Sequence, residues 1–186
     1  MIPAGTALDN GGEVLKVDDA TGSTVVEFRF GDRAPWPLLA DGEGYSLVHM
    51  NPVAGDVHHG DAGNWRSSAV EGGSPGASDA LPVPVDPAGD EDGDGLINLL
   101  EHVMGDGAMF TAEEAAAGRT LVWQVRPGGD AGQMVIESSG DLGVWQTEAG
   151  LTGYAEAMVG GLIRRSAVIP ASGERRYFRA RVVPVP

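Results

Sequence analysis

The stretch that decides how the middle of the chain folds reads Asp90-Glu91-Asp92-Gly93-Asp94-Gly95-Leu96-Ile97-Asn98-Leu99-Leu100-Glu101. Carboxylates occupy positions 1, 3 and 5 of this stretch, and a glycine, an amide and a glutamate occupy positions 6, 9 and 12. A loop of this spacing folds around a calcium ion, because calcium takes about six to eight oxygen ligands and position 6 needs a sharp turn. The sequence therefore predicts a calcium site.

The predicted ligands come from six positions of this loop. They are the carboxylates of Asp90, Asp92, Asp94 and Glu101, the backbone carbonyl of Leu96, and Asn98, directly or through a water. Gly95 permits the turn, and Ile97 is expected to pack against a core. Since crowded carboxylates repel one another, calcium is expected to order the loop. The alternative interpretation is a solvated acidic linker that carries glycines.

A helix is predicted after the loop but not before it. One apolar stripe at i, i+3, i+4 and i+7 comprises Leu96, Leu99, Leu100 and Val103, and Gly105 is a candidate C-cap. Residues 81–89 are proline-rich and cannot form the entering helix of an EF-hand. A single half-site predicts a dissociation constant on the order of 10⁻⁴–10⁻³ M, which favours an extracellular location where calcium is abundant.

Both flanks of the central segment show the period of β-strands. Residues 24–30 alternate, with Val26, Phe28 and Phe30 on one face, and Leu121, Trp123 and Val125 share a face later in the chain. Further strands are predicted at 134–137, 162–168 and 176–183, the last as a solvated edge with outward arginines. Residues 111–114 fit a capping box and predict a second short helix that Gly118 closes.

These patterns predict a mainly β chain of three regions. They are a β-unit over residues 1–80, a linker with the calcium loop and short helices over 81–119, and a small antiparallel β-domain over 120–186. Calcium is expected to fix the linker between the two β-units.

Composition and charge exclude several classes of partner and site. The net charge is −15, and residues 79–114 contain ten acids without Lys or Arg, which disfavours nucleic acid as a partner. Six arginines cluster within residues 164–181. The absence of cysteine excludes disulfides and a cysteine nucleophile. No apolar run approaches the ~20 residues of a membrane span. The first residues show no signal peptide, and we expect a piece of a longer secreted protein rather than a cytosolic one.

Three other motifs have simpler interpretations. Residues 72–76, Gly-Gly-Ser-Pro-Gly, fit the nucleophile elbow, but Pro75 lacks the N–H that the oxyanion hole needs. Asp56, His58, His59 and Asp61 are interpreted as a polar surface loop rather than a transition-metal site. The tryptophans at 36, 65, 123 and 145 are interpreted as core anchors, with a carbohydrate-stacking platform as the alternative.

Three resemblances to known families follow from these residues. The segments 8–13, 34–37, 41–47, 64–66 and 73–76 resemble the C-terminal half of a bacterial lamin-tail domain, which implies half of an immunoglobulin-like β-sandwich. The calcium loop resembles those of dockerins and thrombospondin type 3 repeats. Residues 135–145 and 176–179 resemble the small C-terminal β-domain of large secreted bacterial surface proteins. These families imply an adhesive, scaffolding or anchoring role and no catalytic residue.

The sequence thus predicts a non-enzymatic, calcium-binding structural or adhesive segment of a secreted or cell-surface bacterial protein, in contact with other domains of that protein. The alternative hypothesis is a module that binds a glycan or a cohesin-like protein and is attached to a larger extracellular enzyme. A hydrolase fragment is a third hypothesis, which a pocket with paired carboxylates away from the calcium loop would support.

Overall fold

The computed structural model describes residues 7–50, 52, 58–107, 110–115, 118–171 and 175–184. Met1 and Asp56 lie outside these residues. The chain divides into two compact units, residues 1–76 and 77–186. All strand pairs in the described part are antiparallel. The prediction of a mainly β fold is confirmed.

The first unit contains two small sheets in its described part. Strands β1 (Val14–Asp18) and β2 (Thr24–Arg29) form one, and β3 (Leu47–His49) and β4 (Trp65–Ser67) form the other. The alternation predicted for residues 24–30 is confirmed, because Val26, Phe28 and Phe30 are half-buried and the residues between them are exposed. The finer expectation of half an immunoglobulin-like sandwich stays a prediction.

Aromatic rings supply much of the packing in this first unit. The ring centroid of Trp65 lies 5.5 Å from that of Phe28 and 5.0 Å from that of His49, and His59 stacks on Phe28 at 5.2 Å. In the described part of the first unit, Leu39 is the most buried aliphatic residue, at 3% exposure. Few aliphatic side chains are fully buried in the described part of this unit, so the rings matter more, since each buries a large apolar area.

The second unit contains one helix and seven strands in its described part. The helix α1 spans Asn98–Met104, and the strands are β5 (Phe110–Ala115), β6 (Gly118–Val125), β7 (Gly132–Ser139), β8 (Gln146–Thr147), β9 (Thr152–Val159), β10 (Leu162–Pro170) and β11 (Tyr177–Pro184). One sheet has the order β5-β6-β10-β9 and the other β11-β7-β8. The strands expected near residues 121–125, 134–137, 162–168 and 176–183 are all present.

The core of the second unit is built around β6 and β10. Leu121, Val122 and Trp123 are consecutive and at most 4% exposed, so both faces of β6 are covered. Ile163, Ala167 and Ile169 contribute from β10, and Leu99, Val103 and Met104 contribute from α1. The stripe predicted for the helix therefore faces the core through Leu99 and Val103.

The second short helix predicted from residues 111–114 is wrong. Those residues lie in β5, which pairs with β6 in a register that places Phe110 opposite Trp123 and Thr111 opposite Val122. Strand β6 needs a hydrogen-bonded neighbour on each side, and pairing with it outweighs the weak helical preference of a capping box. The boundary expected at residues 119 and 120 consequently falls within a β-hairpin.

The expected solvated edge at residues 176–183 is only half right. Strand β11 does lie at the edge of its sheet in the described part of the chain. The guanidinium groups of Arg179 and Arg181, however, bind the buried Glu137 carboxylate on β7, with N–O distances of 2.7 and 3.1 Å. The basic residues therefore partly cover a buried acid instead of pointing freely into water.

The proline-rich stretch, the acidic loop and α1 belong to the same compact unit as the C-terminal strands. The Leu81 amide donates to the carbonyl of Gly128 at 2.8 Å, which joins this stretch to the turn after β6. Within the described ranges, no helix has the length and apolar character that crossing a bilayer requires.

Candidate metal site

The acidic loop is shaped by hydrogen bonds from its own backbone to its carboxylates. The Asp90 carboxylate accepts from the amides of Gly93 and Gly95, at 2.7 and 3.0 Å. Asp92 accepts from the Asp94 amide at 3.1 Å, and Asp94 accepts from the Leu96 amide at 2.8 Å. These local bonds curl the chain around its acidic side chains, as short Asp side chains do in turns.

Two glycines permit this curl. Gly93 and Gly95 have φ values of +77° and +96°, in the left-handed region that residues with a Cβ rarely adopt. The sharp turn predicted at Gly95 is present. An alanine at either position would be strained although no other atom stands in its way.

Three of the predicted ligands converge. One carboxylate oxygen from each of Asp90, Asp92 and Asp94 lies within 4.8 Å of the other two, and all three side chains are exposed. Calcium binds oxygens at about 2.4 Å, so two ligands of one ion lie at most about 4.8 Å apart. The three oxygens therefore fit a single ion, and a set of carboxylate oxygens suits a hard cation better than a soft one.

Glu101 is half-buried on α1 and lies outside this converging group. Burial raises the pKa of its carboxyl, and the charges of Asp92, Asp94, Asp106 and Asp90 raise it further. Its charge therefore interacts unfavourably with the acidic loop. A cation between these groups would reverse that interaction.

Asn98 joins the two ends of the loop. Its side-chain oxygen accepts from the Glu91 amide at 3.1 Å, its side-chain nitrogen donates to the Asp86 carbonyl at 2.8 Å, and its backbone amide donates to Gly89 at 2.7 Å. The adjacent Leu99 amide donates to the carbonyl of Pro87 at 3.0 Å. The first amides of α1 are thus capped by residues 86–89, which the sequence predicted only as a linker.

The remaining predicted loop residues differ in burial. Leu96 is half-buried, whereas Ile97 is 43% exposed. The expectation that Ile97 packs against the core is wrong, because Ile97 is the residue that precedes the first turn of α1, and the buried face of the helix begins at Leu99.

The helix that carries Glu101 is anchored firmly. A Cβ added at Gly132 on β7 would meet Val103 at 3.1 Å and Leu99 at 3.3 Å, so the helix packs directly on that backbone. His102 is buried, and its Nε2 accepts a hydrogen bond from the Ala131 amide. Burial lowers the pKa of His102, and the positive charge of Arg126 lowers it further. This histidine is a packing group. Gly105, with φ of +83°, ends the helix.

The other sequence motifs contribute no residue to the group of Asp90, Asp92 and Asp94. Asp56 lies outside the described residues, and the described part of the chain shows no metal-binding group of three residues that includes His58 or His59. Gly72 and Gly73 both have positive φ within a turn rather than at a strand-to-helix junction. Trp123 is buried at 4% exposure, and Trp145 lies under the Arg179 guanidinium at 4.3 Å.

No protein-family model matches this sequence, and neither the curated proteins nor the solved structures include a significant match to it.

Proposed function

We propose that residues 90–101 bind one calcium ion and that this ion stabilises the second unit, as a non-enzymatic structural or adhesive segment of an extracellular bacterial protein. The observation that carries the proposal is the convergence of oxygens from Asp90, Asp92 and Asp94 within 4.8 Å, in a loop whose spacing suits calcium. Asp90, Asp92, Asp94, Leu96, Asn98 and Glu101 would hold the ion. The ion would neutralise the mutual repulsion of the carboxylates.

The position of the loop explains how such an ion acts on stability. The loop is closed at its base by the bond from the Asn98 amide to Gly89, and α1 follows at once. Ordering the loop therefore orders the first turn of α1, which buries Leu99 and Val103 in the core. An ion that binds only the folded state adds about 1.4 kcal/mol at ten times its dissociation constant.

The acidic residues elsewhere in the second unit support a structural use. The side chains of Glu137, Glu148 and Glu156 are at most 8% exposed, and each forms an ion pair with an arginine. Buried, paired carboxylates are held by their partners rather than exposed to a substrate. A weak half-site, in turn, fits an environment with millimolar calcium, which is extracellular.

The test is calcium titration of the full chain by calorimetry, together with thermal melting with and without millimolar calcium. We expect a single site and a melting temperature that rises with calcium. Asp92→Ala and Glu101→Ala should abolish both signals. Glu91→Gln is the matched control, because Glu91 occupies a position of the loop that contributes no ligand.

Absence of heat and of a melting shift at millimolar calcium would refute the proposal. Equal binding by the wild type and by Asp92→Ala would refute the ligand assignment.

A further inference from the structure

An open groove of about 730 Å³ lies on the surface of the first unit. Its lining comprises Pro35, Trp36, His58, Gly60, Asp61 and Ala62. Its size is in the range of small-ligand sites. The groove brings an indole, an imidazole and a carboxylate together from two segments that are distant in sequence.

The polar wall of the groove is a rigid turn. Residues 62–64 form one turn of 3-10 helix, and the Asp61 carboxylate caps it by accepting from the Gly63 amide at 2.9 Å. The Asn64 side chain donates to the His58 carbonyl at 3.1 Å, and the Trp65 indole donates to the His59 carbonyl at 2.8 Å. These bonds fix the backbone of the turn and the Asp61 carboxylate before any ligand arrives, which reduces the entropy cost of binding.

The aromatic wall is held with similar firmness. The Trp36 ring lies 6.1 Å from the Trp65 ring at an angle of 43°, and a Cβ added at Gly31 would meet the Trp36 indole at 2.9 Å. Trp36 is only half-buried, so part of its ring remains at the groove surface. A fixed, partly exposed indole is a stacking surface whose rotamer entropy is already lost.

The indole N–H of Trp36 differs from those of Trp65 and Trp123 in its hydrogen bonding. The Nε1 of Trp65 is bonded to His59, and the Nε1 of Trp123 is buried without a partner. In the described part of the chain, the Nε1 of Trp36 donates to no residue and is not among the buried unpaired atoms. It is therefore open to a ligand acceptor.

The chemistry of the lining selects the kind of ligand. One Asp61 oxygen accepts from Gly63, and the second remains to accept from a ligand hydroxyl. The Asp61 charge and the net charge of −15 disfavour anions. An open groove with polar groups suits a ligand that presents both C–H faces and hydroxyl groups. Sugars combine a face that stacks on an indole with hydroxyls that bond to carboxylate and N–H groups.

We propose that this groove binds a neutral oligosaccharide, one sugar ring lying on Trp36 and its hydroxyls donating to Asp61. The site is independent of the calcium loop. It also differs from a flat platform of four tryptophans, since Trp123 is buried and Trp145 is covered by Arg179.

The experiment is affinity electrophoresis of the full chain in native gels that contain hydroxyethyl cellulose, xylan or mixed-linkage β-glucan, with polygalacturonate as the anionic comparison. We expect retardation by at least one neutral polysaccharide and none by polygalacturonate, unchanged by EDTA. Calorimetry with hexasaccharides of the retarding polymer then gives the affinity.

Variants locate the site. Trp36→Leu should weaken binding by about tenfold, the loss expected for one stacked ring, and Trp36→Tyr should restore part of it. Asp61→Ser keeps a capping side chain but removes the second oxygen, and it should also weaken binding. Trp145→Leu in the second unit should bind as the wild type does.

Two results would overturn the inference. One is a wild-type chain that no neutral polysaccharide retards. The other is undiminished binding by Asp61→Ser and Trp36→Leu after circular dichroism shows that both variants are folded.

Discussion

The side-chain amide of Asn98, the first residue of α1, donates a hydrogen bond of 2.8 Å to the carbonyl of Asp86, twelve residues earlier in the chain. The same side chain accepts from the Glu91 amide. Asn98 thus connects the segment before the acidic loop, the loop and the helix after it. A predicted metal ligand therefore also has a structural role in joining these three segments.

Asn98→Ala should destabilise the metal-free protein by about 1–2 kcal/mol, because two side-chain hydrogen bonds are lost at about 1 kcal/mol or less each. Asn98→Asp should keep the bond from the Glu91 amide, but it should lose the bond to Asp86 and add a negative charge beside the acidic loop, so it should also destabilise the chain. Urea unfolding in EDTA measures both. A variant Asn98→Ala as stable as the wild type would show that these bonds contribute nothing.

Glu101→Gln should change stability and calcium binding in opposite directions. The pKa of Glu101 is raised by burial and by the neighbouring aspartates, so its ionised form is costly in the folded, metal-free state. Removing that charge should stabilise the metal-free chain at pH 7, and the gain should vanish as the pH falls and the wild-type carboxyl becomes protonated. The same change should weaken calcium binding by at least about tenfold, because it removes a bidentate ligand.

Thermal melting in EDTA at pH 7 and pH 4, followed by calcium titration, tests both effects of Glu101→Gln. A lower melting temperature in EDTA at pH 7 would contradict the electrostatic interpretation. Unchanged calcium affinity would remove Glu101 from the ligands while leaving the aspartates untouched.

Gly132→Ala should destabilise the second unit by about 1–3 kcal/mol through overpacking. The added Cβ would lie 2.5 Å from Val182 and 3.1 Å from Val103, so the Val182 side chain would have to shift and the packing of α1 on β7 would have to loosen. Gly143→Ala is the control, because its Cβ would meet nothing closer than 3.5 Å. Chemical unfolding should show a change of less than about 0.5 kcal/mol for the control.

Glu137 should make the free energy of unfolding depend on pH in the acidic range. Hydrogen bonds from Arg179 and Arg181 lower its pKa below the ordinary value of 4.5, although burial opposes them. The stabilisation is therefore present above pH 4.5 and is lost as the pH falls through the lower folded value. Glu137→Gln should flatten the fall in unfolding free energy over that range. If the free energy of unfolding fell equally with pH in the variant and the wild type, the ion pairs of Glu137 would not contribute to the pH dependence of stability.

Several features follow from local sequence alone. The curl of the acidic loop rests on bonds that span at most five residues, such as Asp90 with Gly95, so the spacing of aspartates and glycines suffices to predict it. The apolar stripe of α1 and the alternation in β2 and β11 are equally local, because helical and strand periods place side chains on faces without reference to distant residues. Whether calcium occupies the loop stays a prediction.

Other features depend on residues far apart in the chain. Phe110–Ala115 is a strand because β6 pairs with it, and Glu137 can be buried because Arg179, 42 residues later in the chain, binds its carboxylate. The groove combines Trp36 with Asp61 from separate segments, which no periodicity reveals. Sequence determined the features whose hydrogen bonds and faces are local. Tertiary structure decided the features in which a strand, a charged group or an aromatic ring is removed from water only by pairing with a residue far away in the sequence.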